Sequence, residues 1–196
     1  MKTDVITISS EGNNMDAALA QIDKISTYKG LSPKDTITLR LLTEEVLAMM
    51  RAIAVDVNGE FWLEDQDGVY ELHLLVRTLV DEKIRGQLLA ASSSGKNEAA
   101  RGFMGKIRSF FESSSEVPMF SAGFVGGSPQ MYGSYTWSMG DYRDQLRQRH
   151  ELDQRNSQEE WDELEKSIVA RLADDVIVGV RKDEVELTIV SKLLGK

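Results

Sequence analysis

The spacing of apolar positions changes along this chain, and each change marks an element. Val5-Ile6-Thr7-Ile8 is a short β-branched run that predicts a first strand. Asn13-Asn14 then offers a helix cap. Ala18, Leu19, Ile22 and Ile25 follow at helical spacing, and Gly30 stands where that helix should stop. A second, longer helix has the stronger start: Ser32 as cap, Pro33 at the first helical position and Asp35 at the positive end of the dipole. Its stripe is Leu39, Leu42, Val46, Met50 and Ile53, and Asn58-Gly59 behind it reads as a turn.

From there the period shortens to that of strands. Phe61-Trp62-Leu63 is a strand by composition, and Asp65-Gln66-Asp67-Gly68 is a hairpin turn by its chemistry. In the strand that follows, Tyr70, Leu72, Leu74 and Val76 face one way. Glu71, His73 and Arg77 face the other, broken only by Leu75, which predicts a sheet with one packed and one largely wet face. His73 accordingly reads as a solvent-facing histidine, with no second histidine or cysteine near it to suggest a metal.

The second half is less regular. Residues 91–97 form a polar break; Ser94-Gly95-Lys96 within it lacks the full spacing of a phosphate loop. A helix is expected from about Glu98, with Phe103, Met104, Ile107, Phe110 and Phe111 as a core stripe. Residues 113–141 show no periodicity and read as an irregular Gly/aromatic insertion, a lid or docking loop. Ser157-Gln158-Glu159-Glu160 is a capping box, and Trp161, Leu164, Ile168 and Leu172 should share one side of the helix it opens. Two strands, Val176 to Val180 and Val185 to Val190, close the chain around Lys182-Asp183.

Composition narrows the functional classes. A chain of 196 residues, 41% apolar and 28% charged, fits a single domain spanning 1–196 that buries its own core. The absence of cysteine excludes disulfides, thiolate nucleophiles and zinc–cysteine sites. No apolar run reaches the roughly 18–20 residues of a membrane span. Met1-Lys2-Thr3-Asp4 does not begin a signal peptide, so a cytoplasmic protein without a membrane partner is expected. The net charge of −9 repels a phosphate backbone and argues against nucleic acid. Arg143, Arg147, Arg149 and His150 alternate with Asp141, Asp144, Glu151 and Asp153 and read as a mixed-charge solvated face.

Three segments together carry a family resemblance. Leu41-Leu42-Thr43-Glu44-Glu45-Val46-Leu47-Ala48-Met49 looks like the N-box helix of the GHKL (Bergerat-fold) ATPases, the superfamily of histidine-kinase ATPase domains and anti-sigma-factor serine kinases. Gly59 to Thr78 resembles that family's central hairpin, and Asp174 to Ile189 its closing hairpin; residues 79–141 resemble it least. The resemblance implies an α+β two-layer sandwich, with a mixed, mainly antiparallel sheet and helices on one face. It also implies a nucleotide site. Glu45 takes the place of the catalytic glutamate, and Met49 the place of the asparagine that holds Mg²⁺. Thr78 stands where an aspartate reads adenine, with Asp81 the nearest acid, and Gly123, Gly126 and Gly127 are candidates for the glycine-rich lid. A thioether is a poor ligand for a hard cation, so no metal site is expected at Met49.

The resemblance therefore implies a degenerate, non-catalytic domain that binds a protein partner or small ligand in regulation. The alternative it leaves open is an active ATP-binding serine kinase of the anti-sigma type, with Mg-ATP as cofactor. A further alternative is an unrelated α+β domain with the same element order. The uncapped edges of the expected sheet favour a homo-oligomer.

Overall fold

Alternating strands need partners for their backbone groups, and in this chain they find them in one sheet. A computed structural model describes residues 1–53, 58–77, 134–152, 161, 164, 167–181 and 184–193. The strands are β1 (Ile6–Ser9), β2 (Asn58–Gln66), β3 (Val69–Arg77), β4 (Ser134–Ser138), β5 (Asp175–Arg181) and β6 (Glu184–Lys192). They lie in the order β1-β2-β3-β6-β5-β4. The helices are α1 (Met15–Lys29), α2 (Pro33–Ile53), α3 (Met139–Leu152) and α4 (Ile168–Leu172). Every described strand pair is antiparallel, which corrects the expectation of a mixed sheet. The architecture is α+β.

Register follows from burial. Ile6, Phe61, Leu74, Leu187, Val178 and Trp137 form one row across all six strands. A slip of one residue anywhere would turn that row outward. Buried residues of all four helices join the buried strand residues in a single cluster, so the helices share one face of the sheet. Fully buried leucines such as Leu72 and Leu74 each contribute roughly 2 kcal/mol of apolar burial. Among the described residues no helix is long and apolar enough to cross a membrane.

Local chemistry sets the element ends. Gly30 ends α1 in the left-handed region (φ 63°), its N–H reaching the Ser26 and Thr27 carbonyls. Asn14 precedes α1 but gives no side-chain cap; its amide donates instead to the Thr7 carbonyl at 2.9 Å. Ser32 Oγ accepts from the Asp35 N–H at 3.1 Å and donates to its carboxylate, a cap worth about 1 kcal/mol. The β2–β3 turn is Asp67-Gly68, both at positive φ as a two-residue hairpin of primed type requires.

Several expectations need correction. Asn58-Gly59 opens β2 rather than forming a turn. Gly59 serves close approach instead: a Cβ there would lie 3.2 Å from Met50 Cε of α2 and 3.1 Å from Leu74 Cδ1. The segment 113–141 is not irregular throughout, because Ser134–Ser138 pairs with β5 and α3 begins at Met139. Ser138 Oγ and Asp175 Oδ1 accept the Asp141 and Gly140 N–H groups and cap that helix. Ile168 does not share the buried side of Trp161 and Leu164. Ser167 caps a new short helix there, which shifts the phase, buries Val169 and Ala170 and leaves Ile168 46% exposed. The helix expected from Glu98 and the loop Lys182-Asp183 lie outside the described residues.

Candidate functional site

The sequence-selected glutamate sits on α2, whose Leu39, Leu42, Val46 and Met50 are buried against the sheet side. Glu45 is half-buried at the margin of that stripe, beside exposed Glu44. Burial, with Glu44 adding to it, raises the Glu45 carboxyl above its ordinary value. Glu45 is therefore not the freely solvated carboxylate of an ordinary outward helix position. One turn on, Met49 is only 4% exposed and belongs to the core cluster. The position where the resemblance asks for a metal-binding asparagine is thus spent on packing. Thr78, Asp81, Gly123, Gly126 and Gly127 lie outside the described residues. Among the described residues, the structure places Glu45 and Met49 one helical turn apart on α2.

Just before Thr78, Arg77 ends β3. Its guanidinium bridges Glu60 on β2 (2.8 Å) and Glu184 on β6 (3.1 Å). The strand end is thereby tied to both neighbours, at an exposed site where such pairs contribute little energy and mainly fix geometry.

The far face of the sheet holds a cluster that periodicity did not reveal. His73 is 9% exposed, not solvent-facing as expected. The Trp62 indole stacks on it with centroids 4.8 Å apart and planes 4° from parallel. Lys2 Nζ lies over the Trp62 ring, 4.6 Å from its centroid, and Glu64 accepts from both Lys2 and the indole N–H. Thr188 Oγ1 is 3.2 Å from His73 Nδ1, and Glu186 and Glu71 stand 3.5 Å from Nδ1 and Nε2 respectively. Nε2 makes no hydrogen bond. The cross-strand pairing Trp62↔His73↔Thr188 produces this arrangement, so only the register could have disclosed it. Covered by the indole, the imidazole is a packing element of the polar face. No group of three or more His, Asp or Glu among the described residues could hold a metal.

At the hairpin end of the sheet, Asp65 is buried and pairs with Lys29 from the last turn of α1 at 2.5 Å. The hydrogen bond to Asp65 raises the Lys29 ammonium above its ordinary value. Asp65 also accepts the Gly68 N–H at 3.3 Å, so one carboxylate ties helix to turn. An open cavity of about 380 Å³ lies beside it, lined by Met1, Lys2, Glu64, Gln66, Val69 and Glu71. Its lining has no histidine or hydroxyl side chain. Comparison with protein-family models, with curated proteins and with solved structures found no match for this chain.

Proposed function

We propose that this chain is a degenerate histidine-kinase-like ATPase domain that acts as a non-catalytic, cytoplasmic, partner-binding regulator. The observation that carries the reading is Met49: it follows Glu45 by one helical turn and is committed to the core, where it offers no oxygen to Mg²⁺. The order of the described elements supports the assignment: strand, two helices, hairpin, then β4 and α3, the short helix α4 and the closing hairpin. Calorimetric titration with ATP, with and without Mg²⁺, tests it. No binding at millimolar ATP is expected. A Kd one hundredfold below the nucleotide concentration would stabilise the protein by about 2.7 kcal/mol. That would appear as roughly 5–10 °C in Tm for a chain of this size. Such a shift overturns the reading.

One observation favours the active-kinase alternative: the Glu45 carboxyl is half-buried and raised in the direction useful to a general base. If that reading held, Glu45→Ala or Asp81→Ala would abolish magnesium-dependent ATP binding or turnover. Indifference to both ends it.

A further inference from the structure

Of the five asparagines in the chain, only Asn58 is followed by glycine. That dipeptide carries a reaction of its own. The backbone nitrogen of the glycine attacks the side-chain amide carbon of the asparagine, and no Cβ shields the approach. The new N–C bond closes a five-membered succinimide, and ammonia leaves with the proton that the nitrogen gives up. Water then opens the ring at either of its two carbonyls, which yields aspartate or isoaspartate. No oxidant, reductant or cofactor takes part.

The fold holds these atoms away from reaction. Asn58 is exposed, but it opens β2 and pairs with Ser9. Gly59 is buried and paired on both sides, with Ile8 of β1 and Val76 of β3. Along β2, Leu63 and Asp65 donate their N–H groups to Thr3 Oγ1 and the Met1 carbonyl, on the β1 side of the sheet. Gly59 shares their parity in a strand whose register with β3 is unbroken, so its N–H also points to β1. Attack requires that nitrogen to lose its proton and turn out of the pleat. Little room exists for the turn, because atoms of Met50, Leu74 and Leu75 stand 3.1–3.3 Å from where a Gly59 Cβ would lie. Asp67-Gly68 is a poorer site: a carboxylate is a weak electrophile, and the Gly68 N–H is held by Asp65 Oδ1 at 3.3 Å.

We infer that Asn58 is a modification site which the fold keeps closed, and that its spontaneous deamidation proceeds when β1 lifts from β2. β1 is the weak point. It is an edge strand of four residues, and Ile8, 1% exposed, is its buried anchor. Such elements open locally at much lower free energy than the core. The reaction makes a transient opening permanent. Either product adds a carboxylate close to Glu60. Isoaspartate also adds a carbon to the backbone directly ahead of Gly59, where packing leaves least room to absorb it.

The test incubates the full chain in mildly alkaline buffer, folded and in urea. The peptide containing Asn58 is followed by mass spectrometry, and isoaspartate by labelling with an isoaspartyl methyltransferase. In urea, Asn58 should be the first asparagine to convert. In the folded chain it should convert at least about tenfold more slowly, which corresponds to about 1.4 kcal/mol of opening free energy. Ile8→Ala should speed the folded-state reaction several-fold and leave the rate in urea unchanged; circular dichroism checks that the variant folds. Ile189→Ala, in the central strand β6, should speed it less than Ile8→Ala does. Asn58→Gln should abolish the product. Equal rates in folded and unfolded parent overturn the proposal, and that comparison needs no variant. So does an unmodified Asn58 in urea, or an acceleration by Ile189→Ala that matches Ile8→Ala.

Discussion

Three glycines separate two reasons for which a fold needs glycine, and alanine substitution measures each. Gly30 has φ 63° and open space where a Cβ would go, so Gly30→Ala incurs conformational strain alone. The left-handed region costs an L-residue about 1–2 kcal/mol. Alanine also narrows the unfolded ensemble, which returns about 0.4–1 kcal/mol. The net destabilisation expected is therefore about 0.5–1 kcal/mol. Gly68 has φ 86°, and a Cβ there would lie 3.1 Å from the Leu193 carbonyl oxygen. The Leu193 N–H donates to the Gly68 carbonyl at 2.9 Å, so the two backbones cannot separate without loosening that bond. Adding about 1–2 kcal/mol for the contact and the hydrogen bond brings Gly68→Ala to about 1.5–3 kcal/mol. Gly59 has no positive φ, and its alanine meets Met50 Cε, Leu74 Cδ1 and the Leu75 carbonyl between 3.1 and 3.3 Å. Gly59→Ala should cost about 1–3 kcal/mol. Shortening Met50 to alanine should recover about 1 kcal/mol of that loss in a double-mutant cycle. Urea unfolding of the single variants and the double variant, with a common m-value, supplies the numbers. Gly30→Ala costing as much as Gly68→Ala would refute the division into strain and contact. Strict additivity of Gly59→Ala with Met50→Ala would refute the helix–strand approach.

Two further predictions follow from charge. Lys29→Met should lower Tm more than Asp65→Asn, because the first strands a buried carboxylate while the second leaves a lysine that can turn to water; equal shifts would contradict the asymmetry. Glu45→Gln should raise Tm at pH 7. The folded-state value of Glu45 lies above its unfolded value, so its ionisation opposes folding: the relative stability is fully present below the unfolded value and lost as pH rises through the folded one. The gain from Glu45→Gln should therefore vanish below about pH 4, where both carboxyls are neutral. A gain that persists at pH 3 would assign it to packing instead.

Much of this fold is written in short-range pattern. The caps and stops at Ser32, Pro33 and Gly30, the Asp67-Gly68 turn and the alternation of Tyr70, Leu72, Leu74 and Val76 are local decisions, and each appears where the sequence places it. The spacing of Met139, Tyr142 and Leu146 behind Ser138 was an equally local signal for α3, hidden by the surrounding charges that made the segment look solvated. The alternating Tyr135 and Trp137 of β4 were masked in the same way by neighbouring glycines and serines.

Other features depend on partners distant in sequence. His73 alternates as an outward residue, and it is covered only because β2 sets Trp62 directly beside it. Asp65 reads as a turn residue, and it is buried only because α1 ends with Lys29 against it. Ile168 fits a helical stripe by number, and Ser167 resets that phase by capping a new helix. Sequence by itself determined β1, β2, β3, β5, β6, α1 and α2 and which side of most of them is apolar, because hydrogen bonding and side-chain period act within a few residues. Tertiary structure alone decided that Met49 lies in the core while Ile37, on another side of α2, stays exposed. A helix's own pattern shows where its apolar residues point, but only the packed sheet determines which of its faces is covered.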